Sequence, residues 1–385
     1  MKTVTDDELI AALREHGSHT KAALALGIDR RSVDRRAQRL AAKGYSPEHG
    51  WDFRVPPGFA VKGASTFTRD ANGDPVWLKV NADTERQREL MQAAIDGMAD
   101  SVTRAAPVKA PKVVATDRLN LFVVTDYHLG MLAWGEETRG ENWDTDIAER
   151  TLRAWFDCAL SEISPAETAV FAQLGDFLHF DGLESVTPLH RNVLDADTRY
   201  PKLVRVAQRA VSDAIIALLG MHKRVHVIMA EGNHDMAGSV WLREATAHHW
   251  ASNRRVTVDT SPDPYYCVEH GATSLFFHHG HLRKPGNIDA TFAEKFRDVF
   301  GRTKHSYAHM GHMHHEKALE SALMQVTQYG TLAACDAYAS RGGWIAQRSA
   351  PVITYHKKYG RIFRRDIGPE EVADWTRFTL AKEAA

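Results

Sequence analysis

Carboxylate, imidazole and carboxamide side chains recur in five short segments of the chain. The segments are Asp126-Tyr127-His128-Leu129-Gly130, Gly175-Asp176-Phe177-Leu178-His179, Gly232-Asn233-His234-Asp235, Phe277-His278-His279-Gly280-His281 and Gly311-His312-Met313-His314-His315. Oxygen and imidazole ligands of this kind suit divalent ions such as Mn²⁺, Fe²⁺ or Zn²⁺. One carboxylate between two ions can bridge them, and two metals about 3.5 to 4 Å apart can drive in-line displacement at phosphorus. The segments therefore predict a divalent-metal site suited to phosphate chemistry.

Each of these segments follows a short apolar stretch that is typical of a strand. The predicted strands are Leu119–Val124, Ala169–Gln173, Val225–Met229, Ser274–Phe277, Tyr307–Met310, Gln325–Tyr329 and Val352–Tyr355. They alternate with helical stretches, which indicates an α/β fold. Ligands of α/β folds bind at the carboxyl ends of the strands, so the pattern places the polar segments where a site is expected.

The motifs DxH, GD, GNHD, HGH and GHxH occur in this order over about Asp117 to Gly368, and together they resemble the calcineurin-like metallophosphoesterases. The resemblance implies a four-layer sandwich of two mixed β-sheets flanked by helices, with two metals at one edge. One metal would be held by Asp126, His128, Asp176 and His314, and the second by Asp176, Asn233, His279 and His312. Asp176 would bridge them, and a hydroxide shared by both ions would be the nucleophile. Mn²⁺ is the expected ion, although Fe²⁺, Zn²⁺ and Ni²⁺ accept the same ligands.

Three further residues acquire roles from the resemblance. His234 is similar to the family's histidine that contacts the scissile phosphate and protonates the leaving oxygen. A protonated imidazole there needs a charge partner, and Asp235 is the nearest candidate. His179 stands where many phosphatases of the family continue into GDxVDRG, and it resembles the histidine with which repair nucleases of the SbcD type position the DNA backbone. No zinc hook or coiled-coil ATPase-binding segment is recognised in the sequence.

The first 46 residues predict three short helices, the first two ended by Gly17 and Gly27. The third helix carries the basic residues Arg30, Arg31, Arg35, Arg36 and Arg39. A helix, a turn with glycine and a basic helix resemble a helix-turn-helix DNA-binding module. This layout ahead of a catalytic domain also resembles some phage-encoded metallophosphoesterases. The alternative is a small helical interaction domain with a solvated basic face.

Four segments are expected along the chain. Residues 1–46 form the helix-turn-helix domain, 47–113 a connector, 114–370 the metallophosphoesterase domain and 371–385 a C-terminal tail. Within the connector, Phe59–Val80 predicts a hairpin that turns at residues 70–74, Thr84–Met98 a helix and Ala105–Lys112 a flexible linker.

Composition limits the classes of partner and compartment. Lys+Arg 48 against Asp+Glu 49 gives a net charge of -1, so affinity for nucleic acid must come from local patches. The three widely spaced cysteines, Cys158, Cys267 and Cys335, argue against a disulfide framework. With no apolar leader or long apolar run, a cytoplasmic protein without a membrane partner is expected. Homo-oligomerisation is left open.

The leading interpretation is a two-metal-dependent phosphodiesterase that hydrolyses DNA, with DNA as its partner. The alternatives are a phosphatase or small-nucleotide phosphodiesterase tethered to DNA or a partner, and a catalytically silent DNA-binding scaffold. One further segment, Ala337–Arg365, mixes seven basic residues with aromatic ones and contains no acidic residue. Such a mixture suits a nucleic-acid strand, and it suits a solvated β-hairpin face equally well.

Overall fold

The computed structural model describes most of the chain, in the ranges 4–42, 45–46, 51–52, 63–69, 75–81, 107–188 and 190–383. Two compact units divide it, Met1–Glu89 and Leu90–Ala385. The helix expected over Thr84–Met98 and the hairpin turn at residues 70–74 lie outside the described residues. Within the described ranges, no helix is long and apolar enough to cross a membrane.

The first unit begins with three helices, α1 (Asp6–His16), α2 (His19–Leu26) and α3 (Arg30–Ala42). Thr5 and Glu8 form a capping box at the start of α1, and Gly17 ends that helix in the left-handed conformation. Gly27 ends α2 in the same way, as the glycine pattern predicts. The helices bury one apolar cluster, made by Val4, Leu9, Ala12, Leu13, Ala22, Ala23, Val33 and Leu40.

Two short antiparallel pairs follow the helices. The strands are β1 (Tyr45–Ser46), β2 (Trp51–Asp52), β3 (Gly63–Arg69) and β4 (Pro75–Asn81). β1 pairs with β2, and β3 pairs with β4 over the register Gly63↔Asn81 to Arg69↔Pro75. The hairpin expected within Phe59–Val80 is therefore confirmed by this strand pairing.

The second unit contains eleven of the strands in the described ranges. In chain order they are β5 (Ala115–Val124), β6 (Ala166–Gln173), β7 (Arg224–Met229), β8 (Val256–Val258), β9 (Tyr266–His270), β10 (Thr273–Phe277), β11 (His305–Met310), β12 (Lys317–Glu320), β13 (Gln325–Gln328), β14 (Ala350–His356) and β15 (Gly360–Ile367). One sheet has the order β15-β14-β5-β6-β7-β8, and the other β12-β13-β11-β10-β9. Both sheets are mixed, because β5 to β8 and β10, β11 and β13 run parallel while β14, β15, β9 and β12 pair antiparallel.

Helices cover both outer faces of the sheet pair. They are α4 (Gly135–Thr138), α5 (Thr145–Ser161), α6 (Tyr200–Met221), α7 (Met236–Trp250), α8 (Ile288–Lys295), α9 (Arg297–Arg302), α10 (Ala337–Gly342) and α11 (Pro369–Glu383), with a 3₁₀ turn at Pro285–Asn287. Residues 371–383 of the expected C-terminal tail lie in α11, whose Val372 is buried in the main core. The sequence analysis did not predict this helix, because polar residues separate its few apolar ones.

Alternation along the strands builds the layers. Leu119, Leu121 and Val123 of β5 join Leu275 and Phe277 of β10 in the core between the two sheets. The residues between them in sequence, such as Phe122 and Val124, turn to the other face and pack with α5 and α6. On the far side, residues of the second sheet pack on Phe292 of α8. The predicted four-layer sandwich of two mixed sheets is therefore confirmed.

Four strands of the second unit, β8, β9, β12 and β15, were not predicted. β8 has three residues, too few for a periodic signal. β15 is an edge strand with several charged side chains, and β14 is its one neighbour in the sheet among the described strands. Short and edge strands show little hydrophobic pattern because they bury little apolar surface.

The parallel strands define two ends of the sandwich. The carboxyl ends of β5, β6, β7, β10 and β11 lie together, and we call this end the metal edge. β14 runs antiparallel to β5 and pairs His356 with Arg118, so the turn from β14 to β15, which contains Tyr359, lies at the other end. We call that end the opposite edge.

Candidate metal centre

Backbone conformation is unusual at the metal edge. Of seven non-glycine residues with positive φ among the described residues, five lie in the predicted metal-binding segments: Asp126 (φ 50), His128 (φ 46), Asp176 (φ 51), His312 (φ 80) and His314 (φ 54). The left-handed region disfavours residues with a Cβ atom, and such strain concentrates at functional sites. The surrounding contacts must hold these five residues in place.

The first two loops are held side by side by backbone hydrogen bonds. Two backbone hydrogen bonds lie beyond the last residue pair of β5 and β6. The amide of Asp126 donates to the carbonyl of Gly175 at 3.0 Å, and the amide of His128 donates to the backbone carbonyl of Asp176 at 3.0 Å. The strand pairing therefore continues into the loops. As a result, the carboxylates of Asp126 and Asp176 are placed on neighbouring turns.

Two motif glycines are required by close approach. A Cβ atom on Gly232 would lie 2.0 Å from Oδ1 of Asp176, and one on Gly311 would lie 1.8 Å from Oγ1 of Thr125. Real Cβ atoms do not come so close to other atoms. The glycines of the GNHD and GHxH motifs thus allow their loops to approach the carboxylates.

The side chains form two groups of potential ligands. In the first, made by Asp126, His128 and His314, the ligand atoms lie within 4.8 Å of one another. Nε2 of His314 is 3.3 Å from Oδ1 of Asp126 and 3.2 Å from Nε2 of His128. The loops of β5 and β11 therefore meet at one point, although their residues lie far apart in sequence.

The second group contains Asp176, His279 and His312, again within 4.8 Å. Nε2 of His279 is 3.2 Å from Oδ2 of Asp176 and 3.3 Å from Oδ1 of Asn233. The same Nε2 lies 4.0 Å from Oδ1 of Asp126, which links the two groups. All seven side chains expected as ligands are thus brought together, while the bridging role of Asp176 stays a prediction.

Hydrogen bonds orient these side chains toward one another. Nδ1 of His279 donates to the carbonyl of Leu174 at 2.8 Å, so Nε2 faces the carboxylates. Oδ2 of Asp126 accepts from Oγ1 of Thr125 at 2.6 Å and from the amide of His312 at 2.8 Å. Oγ1 of Thr331 donates to the carbonyl of Asp126 at 2.6 Å. Neither threonine was expected at the site, and nothing in the local sequence signals them.

The donor set fits a cation. Oδ1 of Asp126 is fully buried, and within the described residues it has no hydrogen-bond partner; the same is true of Nδ1 of His312. Nε2 of His314 at 3.3 Å and Nε2 of His279 at 4.0 Å compensate the charge of Asp126 only when these rings are protonated, and a buried carboxylate oxygen without a hydrogen bond is costly. A divalent ion bound by carboxylate oxygens and imidazole nitrogens would satisfy both atoms.

The carboxylates of the centre carry negative charge that attracts positively charged groups. Burial raises the pKa of Asp176, but the neighbouring His279 outweighs burial and holds this pKa well below its usual range. Burial lowers the pKa of His279, yet Asp176 and Asp126 raise it to about 9. Burial and the adjacent histidines keep the pKa of His128 well below normal, so this imidazole is neutral and able to bind a metal.

The centre opens to solvent on one side. Asp126 and His279 have no exposed side-chain surface, whereas the side chain of His314 is 43% exposed. His234 lies on the same side and is half-buried. A substrate would therefore approach past His314 and His234.

His234 sits beside the centre. Its amide donates to Oδ1 of Asp176 at 2.8 Å, and Nδ1 of its ring donates to the carbonyl of His179 at 3.0 Å. The ring centroid is 4.8 Å from that of His128. Because Nδ1 is used by a carbonyl, Nε2 is the ring atom available to a ligand.

Asp235 contacts the backbone of two motif loops. Its buried carboxylate accepts hydrogen bonds from the amides of Gly232 at 3.0 Å, Asp176 at 3.2 Å and Leu178 at 3.0 Å. Among the described contacts of the His234 ring, the hydrogen bond goes to His179 and not to Asp235. Asp235 thus ties the GNHD loop to the GD loop, and a charge partnership with His234 stays untested.

His179 is buried and contacts two other histidines, His128 and His234. Its Nδ1 is 3.3 Å from Nδ1 of His128, and its ring stacks on that of His234 with centroids 5.8 Å apart. These three histidines form a further group with nitrogen atoms within 4.8 Å. Burial lowers the pKa of His179 to about 3. Its expected contact with a DNA backbone stays a prediction.

The basic residues of α3 differ in their surroundings. Arg36 donates to the carbonyl of Val4 at 2.9 Å and to Asp6, so it links α3 to α1. Nε of Arg30 lies 3.8 Å from Asp34. The side chains of Arg31 and Arg35 are exposed, and that of Arg39 lies outside the described residues. The DNA contacts expected of these five arginines stay predictions.

Comparisons with known proteins give distant structural matches only. No family model matches the sequence, and no curated protein matches it. A predicted phosphoesterase from Streptococcus pneumoniae is 11% identical, with a TM-score of 0.28 over 66% of this chain and 99% of its own. An archaeal phosphodiesterase is 13% identical, with a TM-score of 0.33 over 64% and 98%.

A third match is Vps29 complexed with Zn²⁺ from Entamoeba histolytica. It is 10% identical, with a TM-score of 0.27 over 65% of this chain and 99% of its own. At these identities and TM-scores, the matches assign neither a family nor an activity to this chain.

Proposed function

We propose that the second unit is a metal-dependent phosphodiesterase that hydrolyses DNA. The observation that carries the proposal is the convergence of Asp126, Asp176, Asn233 and four imidazoles at one edge of the sandwich, with Oδ1 of Asp126 buried and without a hydrogen bond among the described residues. A bound cation would satisfy this oxygen.

The two ligand groups would hold two divalent ions, with Mn²⁺ as the expected metal. The first ion would be held by Asp126, His128, Asp176 and His314, and the second by Asp176, Asn233, His279 and His312. When bound, such ions activate water and neutralise charge that develops on the phosphate.

The protein's own groups fix the geometry of this chemistry. The carbonyl of Leu174 holds His279 with Nε2 toward the centre, and Asp235 holds the amides of Asp176 and Gly232. His234 presents Nε2 at the open side, where it donates a proton to the leaving oxygen of the scissile ester. A proton on Nδ1 is retained by the carbonyl of His179.

DNA is the proposed substrate because the chain also offers a basic helix. Arg31 and Arg35 are exposed on α3, which follows α2 and a glycine turn as in helix-turn-helix modules. Exposed arginines neutralise phosphates and provide affinity for a duplex. The first unit would therefore bind DNA, and the second would cut it.

The test compares substrates for the full chain with Mn²⁺. We expect degradation of single- or double-stranded DNA, slow turnover of p-nitrophenyl phosphate, and loss of DNA cleavage with a chelator and in His234→Ala. The control is His190→Ala, an exposed histidine that is not among the predicted metal ligands. Efficient monoester hydrolysis with DNA untouched would overturn the proposal in favour of a phosphatase.

End-labelled linear DNA and closed circular DNA extend the same experiment. Cleavage of the circle shows endonuclease action, whereas a surviving circle with a shortening linear substrate shows exonuclease action. Either result supports a DNA phosphodiesterase. Survival of both substrates, in a protein that contains metal, contradicts it.

A further inference from the structure

The fold divides the basic and aromatic segment Ala337–Arg365 between distant places. Tyr355 is fully buried in the core between the sheets, and Tyr359 lies at the opposite edge. Tyr338 and Trp344 lie in the segment 332–348, which joins β13 to β14. The mixture of residues in sequence therefore does not form one continuous strand-binding surface.

Most of the basic side chains of this stretch are engaged in ion pairs. Arg341 bonds Glu137 at 2.5 Å, and Arg348 bonds Glu141 at 2.6 Å. Arg364 lies 2.7 Å from Asp366. These charges are already compensated, so the aromatic rings are the more informative groups.

Segment 332–348 is anchored beside the metal centre at both ends. Thr331, just before it, donates to the carbonyl of Asp126 at 2.6 Å, and the amide of Ser349, just after it, donates to the carbonyl of Thr331 at 3.1 Å. Leu332, Ala333 and Ala334 are buried. The segment is thus a loop that leaves the metal edge and returns to it.

Two aromatic rings stand exposed on this loop. Tyr338 is 73% exposed and Trp344 is 61% exposed, and their centroids lie 5.2 Å apart at an interplanar angle of 58°. A Cβ atom on Gly342 would lie 2.8 Å from the indole, so the ring rests directly on the glycine backbone. Oγ of Ser340 and the Arg341–Glu137 pair fasten α10 to α4. These contacts fix the position of the loop on which the two exposed rings lie.

We propose that Tyr338 and Trp344 form a stacking platform for an unpaired DNA base, adjacent to the phosphate bound at the metal centre. The inference rests on the proposed function and specifies its substrate as a strand with unpaired bases. Every base offers an aromatic face, and stacking on exposed tyrosine and tryptophan is the usual way in which proteins hold single strands.

The reach of the loop supports this placement. Oγ1 of Thr331 contacts the carbonyl of Asp126 at 2.6 Å. Tyr338 follows Thr331 by seven residues, which is at most about 25 Å of extended backbone. Stacked nucleotides lie about 3.4 Å apart along a strand, so this reach corresponds to at most about seven stacked nucleotides from the Asp126 loop.

The test measures binding of the full chain to a fluorescent thymidine 20-mer in the presence of a chelator, so that the strand is not cut. We expect Tyr338→Ala/Trp344→Ala to weaken binding by about 10- to 100-fold, the range for loss of base stacking. An abasic oligomer of equal length should bind both proteins alike. The dependence of affinity on salt should keep its slope, because no phosphate contact is removed.

Two further variants sharpen the result. Gly342→Ala keeps both rings but displaces the indole, so its affinity should fall between those of the wild type and the double variant. Tyr359→Ala removes an exposed aromatic ring at the opposite edge and should bind as the wild type does. Equal binding of the thymidine and abasic oligomers by the wild type, or an unaffected double variant, overturns the platform.

The failure of the platform and the failure of the proposed function are distinguishable. Mn²⁺-dependent hydrolysis of bis(p-nitrophenyl) phosphate by the wild type tests the metal centre without any base. Hydrolysis without selective thymidine binding supports the phosphodiesterase and contradicts the stacking platform. Selective binding without hydrolysis supports the platform and contradicts the phosphodiesterase.

Discussion

The two edges of the six-stranded sheet both bury histidine, but they treat it differently. At the opposite edge, Nδ1 of His222 donates to the carbonyl of Leu218 at 2.9 Å, and Nε2 accepts from Nδ2 of Asn120 at 3.0 Å. At the metal edge, Nδ1 of His312 and Oδ1 of Asp126 lack partners among the described residues. Buried histidine is thus common to both edges, while His222 has both ring nitrogens in hydrogen bonds and His312 has Nδ1 without one among the described residues.

The backbone shows the same contrast. Five residues of the metal edge adopt positive φ, whereas His222 has φ -130, an ordinary extended conformation. A buried histidine that stabilises the fold has its polar atoms paired and its backbone relaxed. Unpaired atoms on a strained backbone indicate a place prepared for a ligand.

The largest effect is expected at the metal edge itself. Asp176→Asn removes a buried anionic ligand, and we expect bound metal, measured by elemental analysis, to fall with DNA cleavage reduced about 10³-fold. The control Asp213→Asn breaks a surface pair with Arg153 and should leave metal content unchanged. Equal metal content in the two variants would contradict the prediction that Asp176 binds metal at the metal edge.

A smaller loss is expected when the ligand stays but its position changes. Gly232→Ala places a methyl group against Oδ1 of Asp176, which must move away. A displacement of about 1 Å at a reacting centre can cost about 10²-fold in rate. The measurement is Mn²⁺-dependent DNA cleavage, with Gly182→Ala as control because no atom lies within 4 Å of a Cβ there. Undiminished cleavage by Gly232→Ala would contradict the close approach.

Asp235→Asn should lower the free energy of unfolding, and it removes no predicted metal ligand. The change places an amide group against the backbone amide of Leu178, which loses its acceptor. An unsatisfied buried donor costs about 1 to 3 kcal/mol. The measurement is the free energy of unfolding in urea. A variant as stable as the wild type would show that Asp235 does not hold the two loops together.

The smallest effect concerns the pH dependence of stability at the opposite edge. Burial lowers the pKa of His222 to about 4, below the usual 6.5. As pH falls below 6.5, the unfolded chain binds the proton first, so this contribution to stability is complete above pH 6.5 and is lost toward pH 4. The slope is at most about 1.4 kcal/mol per pH unit.

His222→Gln tests this slope, because glutamine does not titrate. Urea unfolding at pH 7, 6 and 5 should show a weaker loss of stability in the variant than in the wild type. His190→Gln, at an exposed histidine, should retain the wild-type slope. An unchanged slope in His222→Gln would mean that His222 has no titration difference between folded and unfolded chains.

Much of the site was predictable because its residues follow strands directly. Asp126 comes two residues after the end of β5, and Asn233 follows β7 closely. A strand's carboxyl end fixes where the next few residues lie, so motif order and strand pattern together locate the ligands. The glycines of the motifs could also be read from the sequence. Their close approach to Asp176 and Thr125 could not.

Other contacts gave no sequence signal. Thr331 is 205 residues from Asp126, and only the packing of the two sheets brings its hydroxyl to that carbonyl. Asp235 stands next to His234 in sequence, yet its carboxylate turns to three backbone amides. The approach of the GNHD and GD loops decided these three contacts, and the predicted partnership with His234 stays a prediction.

By itself, the sequence determined the alternation of strands and helices, the polar segments at strand ends and the glycines that let loops turn, because each depends on a few neighbouring residues. Tertiary structure alone decided which polar atoms found partners. It left Oδ1 of Asp126 without one, and it separated Tyr338 and Trp344 from Tyr355 and Tyr359. The reason is that hydrogen bonding and exposure depend on residues distant in sequence, which meet only when the two sheets pack.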